Sequence, residues 1–284
     1  MGSYATTVHI PINEFETLCS TYPSSEKIMR SLVRIQGPKA IIDMSLINNE
    51  IQMELGDEVY NYLYKRLYRL LDEKHFSSYF LQFYRTVMLP KSKVQSVLEI
   101  GSGAGIYKAL LNNFNYNLTT MDIDNYSDPN IIGDVALIPF QECSFDLICI
   151  FEVLEHLPFS NFEKAIKELH RCTRHYVYLS LPYAHSTVLL NIEMNSMQSY
   201  VNRMNFKLRK SIHLPSRFRD IDLEIYKNRK DKKNPHYWEV NRKSYKLPKI
   251  LNIIESSGLS VMETFNNPFF PYHFYILCEK IFPD

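Results

Sequence analysis

Val97-Leu98-Glu99-Ile100-Gly101-Ser102-Gly103-Ala104-Gly105 is the stretch that decides how this 284-residue chain is read. The chain holds only 8 glycines, and Gly101, Gly103 and Gly105 crowd into this one turn. An apolar run from Val94 to Ile100 leads into them, and the amphipathic Ile106–Leu111 follows. That order predicts a strand, a glycine turn and a helix. Glycine takes positive φ without penalty and has no Cβ to hold a ligand away from the turn. A helix start also offers unpaired N–H groups to an anionic group. The turn therefore predicts a nucleotide-type ligand, and the residues after it sharpen that expectation.

A second strand-like run, Asn117-Leu-Thr-Thr-Met, ends in Asp122. A carboxylate at the tip of the second strand of a doubly wound sheet is where ribose hydroxyls are held. Ile131-Ile-Gly-Asp134-Val135 places another acid just past a short apolar run, suited to an adenine amino group. Phe145-Asp-Leu-Ile-Cys-Ile-Phe151 is nearly all apolar, as a strand buried on both faces must be. These features predict an adenosine-bearing ligand without a pyrophosphate.

The ordered phrases VLEIGSGAG, MDID, GDVALIPF, SFDLICIFEVLEHL and YLSLPY resemble the class I S-adenosylmethionine-dependent methyltransferases. The resemblance runs from about residue 92 to the end. It implies an α/β fold: a Rossmann-like seven-stranded sheet with helices on both faces, binding S-adenosylmethionine at its carboxyl edge. It also implies that Gly101, Gly103 and Gly105 approach the methionine part, that Asp122 takes the ribose hydroxyls, and that Asp134 with Val135 meets the adenine. Glu99, Ser102, Ile123 and Phe151 complete the implied cofactor site. A nicotinamide-dependent dehydrogenase is the weaker match, because Gly-x-Gly-x-x-Gly is its usual turn and position 106 here is Ile.

The rest of the chain is organised around that sheet. Asn161 is placed to cap a helix carrying Phe162, Ala165, Ile166 and Leu169 on one face. His175–Leu181 reads as a strand stopped by Pro182, and Leu247–Ser257 as a helix ending at Gly258. Ser260–Phe265 and His273–Cys278 read as a closing antiparallel pair. Residues 91–284 thus form the methyltransferase-like domain, with an insertion over 186–246 expected to cover the acceptor site. Residues 1–90 form a small α+β extension, a lid or a homo-oligomer contact. Within it Ala40–Leu55 alternates about Asn48-Asn49 and predicts a hairpin. Asp57 then opens a helix with Tyr60, Leu63, Tyr64, Leu67 and Leu71 on one face, and a second helix covers Ser77–Val87.

The richest chemistry follows the fourth strand, in Phe151-Glu152-Val-Leu-Glu155-His156. Glu152 and Glu155 are spaced to share a face of a helical turn. Two carboxylates and an imidazole can hold Mg²⁺ or Mn²⁺. The Glu-x-x-Glu-His spacing is similar to that of polyprenyl-catechol O-methyltransferases and of small-RNA 3′-terminal 2′-O-methyltransferases. By that resemblance His236, in His236-Tyr-Trp-Glu239, is the fourth candidate ligand beside Glu152, Glu155 and His156. Equally open is a metal-free reading in which His156, aided by Glu155, is the base and His185 a reserve base.

Composition bounds the partners. The formal net charge is +1, so no global field selects nucleic acid or an anionic membrane. Locally, Arg203–Lys249 carries fifteen Lys or Arg against five Asp or Glu. That excess favours an acceptor bearing phosphate or another anion. A sugar or glycan hydroxyl is preferred, with a catechol next and an RNA end third. A non-catalytic scaffold that merely binds S-adenosylmethionine is the alternative from another class. The five cysteines form no Cys-x-x-Cys pair and predict buried thiols in a reducing, cytoplasmic setting. No apolar run approaches a membrane span in length, and no secretory signal opens the chain.

Overall fold

The computed structural model describes residues 7–68, 73–103, 105–123, 129–195, 205–214, 219–221 and 236–281. The N-terminal part runs β1 (Thr7–Pro11), α1 (Ile12–Thr21), α2 (Pro23–Leu32), β2 (Val33–Gln36), β3 (Lys39–Asp43), α3 (Asn49–Leu55) and α4 (Asp57–Tyr68). Its strands form an antiparallel sheet in the order β1-β3-β2. Val8, Ile10, Phe15, Met29, Ile42, Leu55 and Leu63 build a small core of its own.

The hairpin expected over Ala40–Leu55 is not formed. The antiparallel pair is instead β2 with β3, turning at Gly37-Pro38, and α3 occupies the second half of the run. Asn48 explains the difference. Its side chain accepts the Ile51 N–H at 2.9 Å and caps a helix rather than shaping a β-turn. Ile47, Ile51 and Leu55 are four apart and all pack on the small core, a helical period hidden within an apparent alternation.

Next come α5 (Glu73–Met88), β4 (Ser96–Ile100), α6 (Ile106–Asn112), β5 (Asn117–Asp122), β6 (Ile131–Ile132), β7 (Phe145–Phe151), α7 (Phe162–Cys172) and β8 (Thr173–Pro182). The chain continues with β9 (Ser186–Asn195), β10 (Asn205–Leu214), α8 (Leu247–Ser256), β11 (Leu259–Asn266) and β12 (His273–Lys280). The seven-stranded sheet has the order β11-β12-β8-β7-β4-β5-β6. Strands β4 to β8 are parallel, and β12 lies antiparallel to both β8 and β11. The strands and helices expected of the large sheet therefore sit where the sequence put them, while Leu71, expected on one face of α4, lies outside the described residues. Asn161 does precede α7, but its side chain makes no capping hydrogen bond.

Two apolar layers sandwich the sheet. On one face α7 and α8 bury Phe162, Ala165, Ile166, Leu169, Ile250 and Ile254 against Leu98, Ile148 and Leu179. On the other, α6 supplies Tyr107 and Leu111 against Leu147, Cys149 and Tyr178, with Leu81, Phe83 and Val87 of α5 packed alongside. Helix α5 thus packs on the large sheet rather than on the small N-terminal core. Strands β9 and β10 form a separate antiparallel ladder within the insertion. Much of the basic stretch beyond it lies outside the described residues. No helix among the described residues is long and apolar enough to cross a membrane.

Candidate functional site

Strand order reverses at β4, whose neighbours β5 and β7 lead away in opposite directions. Ligands of open α/β sheets bind outside the carboxyl ends of the strands at such a point. The glycine turn sits there. Gly101, Gly103 and Gly105 all have positive φ, at +79°, +49° and +71°. A Cβ on Gly103 or Gly105 would meet nothing within 4 Å among the described residues, so both border open space there. Gly101 is different: a Cβ there would stand 2.3 Å from Val153 Cγ2, which packs over the turn from the β7 side.

Two buried polar atoms face this region without a hydrogen-bond partner among the described residues, Glu99 Oε2 and Ser102 Oγ. Burial pushes the Glu99 carboxyl well above its ordinary range; Lys108 opposes the shift and Asp122 adds to it. Unsatisfied buried groups cost roughly 1–3 kcal/mol each unless a ligand completes them. These orphans suit the ammonium and carboxylate ends of a methionine moiety. Asp122 ends β5 and accepts the Ile123 N–H at 2.8 Å, with Ile123 itself well exposed. Asp134 lies on the surface and closes a turn by accepting the Ala136 N–H, while Val135 is buried beside it. Phe151 turns its ring into the aromatic layer of Tyr107, Tyr178 and Tyr275.

The Glu-x-x-Glu-His segment follows β7 and splits in two. Glu155 is fully buried, and neither carboxylate oxygen has a hydrogen-bond partner among the described residues. Its Oε1 lies 3.9 Å from His156 Nε2 and 4.0 Å from His236 Nε2. The three donor atoms fall within 4.8 Å of one another. Burial, followed by the Glu152 charge, pushes the Glu155 carboxyl far above its usual range. Glu152, the other acid of the motif, stands apart from this group. It adopts φ +53°, accepts a 2.8 Å hydrogen bond from Ser180 Oγ, and faces His273 Nε2 at 3.7 Å. Burial raises its pKa to about 8 against the effect of that hydrogen bond.

His236 reaches Glu155 across eighty intervening positions because its segment is stitched to the turn after β7. Tyr237 N–H donates to the Glu155 carbonyl at 2.8 Å, and the buried Trp238 indole donates to the Leu157 carbonyl at 3.1 Å. Val240 then bonds the end of β8 through the Pro182 carbonyl. The imidazole is oriented from behind. His236 Nδ1 lies 3.2 Å from Glu239 Oε1, which also accepts the Tyr272 hydroxyl at 2.7 Å. Burial raises the Glu239 pKa, but hydrogen bonds from His236 and Tyr272 and the Arg242 charge prevail and lower it. A carboxylate on Nδ1 places the ring proton there and leaves the Nε2 lone pair facing Glu155. His185 belongs to neither group; its Nδ1 pairs with the Tyr183 carbonyl at 2.8 Å.

Sequence reasoning quoted Glu239 without giving it a role, and missed Ser180, Tyr272 and His273 altogether. Ser180 lies on β8 within the quoted YLSLPY, and Tyr272 and His273 stand side by side where β12 begins, so no spacing along the chain ties any of them to the acids after β7.

The topology and the glycine turn define a cofactor-binding α/β domain. Residues 98–181 match the family model described as a methyltransferase domain. Those residues, from β4 to the end of β8, accordingly form a methyltransferase domain within the chain. Among solved structures it is similar to an S-adenosylmethionine-dependent methyltransferase from Clostridium acetobutylicum, at 11% identity and TM-score 0.47, covering 79% of this chain and 99% of that one. It is also similar to 1,6-didemethyltoxoflavin-N1-methyltransferase from Burkholderia thailandensis, at 11% identity and TM-score 0.46, covering 88% and 98%. A third similar structure is a methyltransferase from Methanosarcina mazei, at 13% identity and TM-score 0.44, covering 70% and 98%. No curated protein matches the chain.

Proposed function

We propose that this methyltransferase acts on a hydroxyl of a vicinal-diol acceptor, a sugar or glycan before a catechol, with a divalent cation held by Glu155, His156 and His236. The observation that carries the reading is the Glu155 carboxylate, buried with both oxygens unpartnered among the described residues and facing two imidazole nitrogens. Isolating a charged carboxylate in this way is unfavourable unless a cation or proton joins it. Glu239 behind His236 is the outer partner that metal-ligating histidines commonly use. One carboxylate and two imidazoles suit Mn²⁺ or another borderline ion as well as Mg²⁺. Held by Glu155, His156 and His236, such an ion would supply Lewis acidity that lowers the pKa of an acceptor hydroxyl.

The chain's own residues do the remaining work. The glycine turn admits the donor close to the backbone, and Asp122 is the residue we assign to the ribose hydroxyls. Transfer is an in-line displacement: the acceptor oxygen bonds the methyl carbon and releases its proton to water, the carbon–sulfur bond breaks, and sulfur keeps the electron pair as a neutral thioether. Alignment and exclusion of water limit the rate. All five cysteines are free, which supports the expected reducing, cytoplasmic setting.

Calorimetric titration of Mn²⁺, then Mg²⁺, into the protein and into Glu155→Gln tests the cation directly. Saturable binding that the substitution abolishes is expected. S-adenosylhomocysteine formation is then followed with methyl α-mannoside, catechol and adenosine, each with and without EDTA. Turnover untouched by EDTA would leave His156 as a metal-free base, with Glu155 beside it to stabilise the imidazolium. Turnover of adenosine alone would move the acceptor to a ribose end.

A further inference from the structure

A second polar cluster occupies the same carboxyl edge, and the scheme above makes no use of it. It starts in the loop joining β11 to β12, which is closed by hydrogen bonds from Asn267 N–H to the His273 carbonyl (2.9 Å) and from His273 N–H to the Phe270 carbonyl (3.0 Å). Asn267 is completely buried. Its Oδ1 accepts the N–H groups of Phe269 and Phe270 at 2.9 and 3.2 Å, which fixes the direction of the amide. Nδ2 therefore donates, to Ser77 Oγ at 2.9 Å and to Ser78 Oγ at 3.0 Å, both on α5.

Ser78 Oγ also lies 2.7 Å from His273 Nδ1. Ser78 Oγ, with one proton and two lone pairs, fits either tautomer; the Glu152 oxygen in front of Nε2 favours the ring proton there, with Ser78 then donating to Nδ1. Nε2 faces Glu152 Oε2 at 3.7 Å, longer than a hydrogen bond but near enough to orient that carboxyl group. The ring is further seated edge-on against Phe270, with centroids 4.7 Å apart.

Glu152 is the element under constraint. A non-glycine residue in the left-handed region persists only where its surroundings impose it. Here Ser180 donates a hydrogen bond to Oε1, and His273 stands 3.7 Å from Oε2. It keeps 22% of its exposure, whereas His273 behind it keeps 11%. The neighbouring Tyr272 holds Glu239 and His236. Two consecutive residues at the start of β12 thus address both halves of the split motif.

We propose that His273 is a positioning residue for methyl transfer: it sets the Glu152 carboxylate at the acceptor side of the site, and Ser78 makes α5 part of that assembly. The proposal rests on the methyltransferase reading for its activity, and on ring geometry for its structure.

Glutamine places a nitrogen donor near the position of Nε2, and asparagine near that of Nδ1. In the full chain, His273→Asn is expected to lower kcat about 30-fold with methyl α-mannoside or catechol, the scale of a misplaced reacting group. KM for S-adenosylmethionine stays within about 3-fold of its starting value, and His273→Gln keeps kcat within about 3-fold. Equal losses in the two variants, in step with their melting temperatures, would reduce His273 to a structural role and overturn the proposal. A second measurement needs no acceptor. Ring-nitrogen NMR of the ¹⁵N-histidine-labelled chain should find the His273 proton on Nε2, with that resonance moved by Glu152→Gln and the Nδ1 resonance moved by Ser78→Ala. A proton on Nδ1, or an Nε2 signal indifferent to Glu152→Gln, overturns the proposal whatever the activity. Failure of the unaltered chain to bind S-adenosylmethionine in calorimetry would instead count against the methyltransferase reading.

Discussion

Replacing Gly101 by alanine separates two penalties that the glycine turn imposes. At φ +79° any L-residue pays the left-handed penalty, about 1–2 kcal/mol. The new Cβ would also stand 2.3 Å from Val153 Cγ2 and 3.6 Å from its Cβ. Rotating Val153 gives little relief, because Cγ1 is 3.9 Å away on the same side and the residue packs on the large core. Forced overpacking of this kind costs about 1–3 kcal/mol. Gly101→Ala should therefore lose about 2–5 kcal/mol. Gly103→Ala, at φ +49° with open space around its Cβ, should lose only the conformational part. At roughly 2–4 °C per kcal/mol for a protein of this size, thermal unfolding places Gly101→Ala several degrees below Gly103→Ala. Adding Val153→Ala to each makes the assay specific. The Gly101 and Val153 substitutions should couple favourably by about 1–3 kcal/mol, whereas Gly103 and Val153 should be additive. Equal melting temperatures for the two glycine variants, or additivity in both pairs, would refute the steric argument.

Three further outcomes are expected. Asp122→Ala should weaken S-adenosylmethionine binding by about 150-fold or more in calorimetry, the loss of two hydroxyl hydrogen bonds to a charged acceptor at about 1.5 kcal/mol or more each, and undiminished affinity would remove Asp122 from the ribose site. Glu155 and Glu152 have folded pKa values above their ordinary 4.5, so the folded state binds more protons than the unfolded one, and metal-free stability falls as pH rises from about 4.5 through about 8. Glu155→Gln should accordingly melt higher than the unaltered chain at pH 8 in EDTA and converge with it near pH 4.5; parallel melting curves across that window would contradict the assigned burial. His156→Ala should leave S-adenosylmethionine binding intact and lower turnover at least 100-fold, while His185→Ala should change turnover less than about 3-fold, and the reverse ranking would move the chemistry to the loop after β8.

Much of this was legible in the chain itself. Val97–Gly105, Asn117–Asp122 and Phe145–Phe151 announced a parallel sheet with a glycine turn because the signals are local. Buried parallel strands need unbroken apolar runs, and positive φ needs glycine. Where local signals compete, the reading failed: Ala40–Leu55 alternates like a hairpin, yet Asn48 caps a helix and Ile47, Ile51 and Leu55 supply its buried stripe. The Glu-x-x-Glu-His spacing brought two acids and an imidazole to one turn but could not say which way each pointed. Only the tertiary structure set Glu155 with His156 and His236 and sent Glu152 to Ser180 and His273. That division depends on β8, β12 and the Tyr237–Trp238 segment converging on one sheet edge. Hydrogen-bond partners so far apart in sequence are chosen by chain packing, and spacing along the chain carries no record of them.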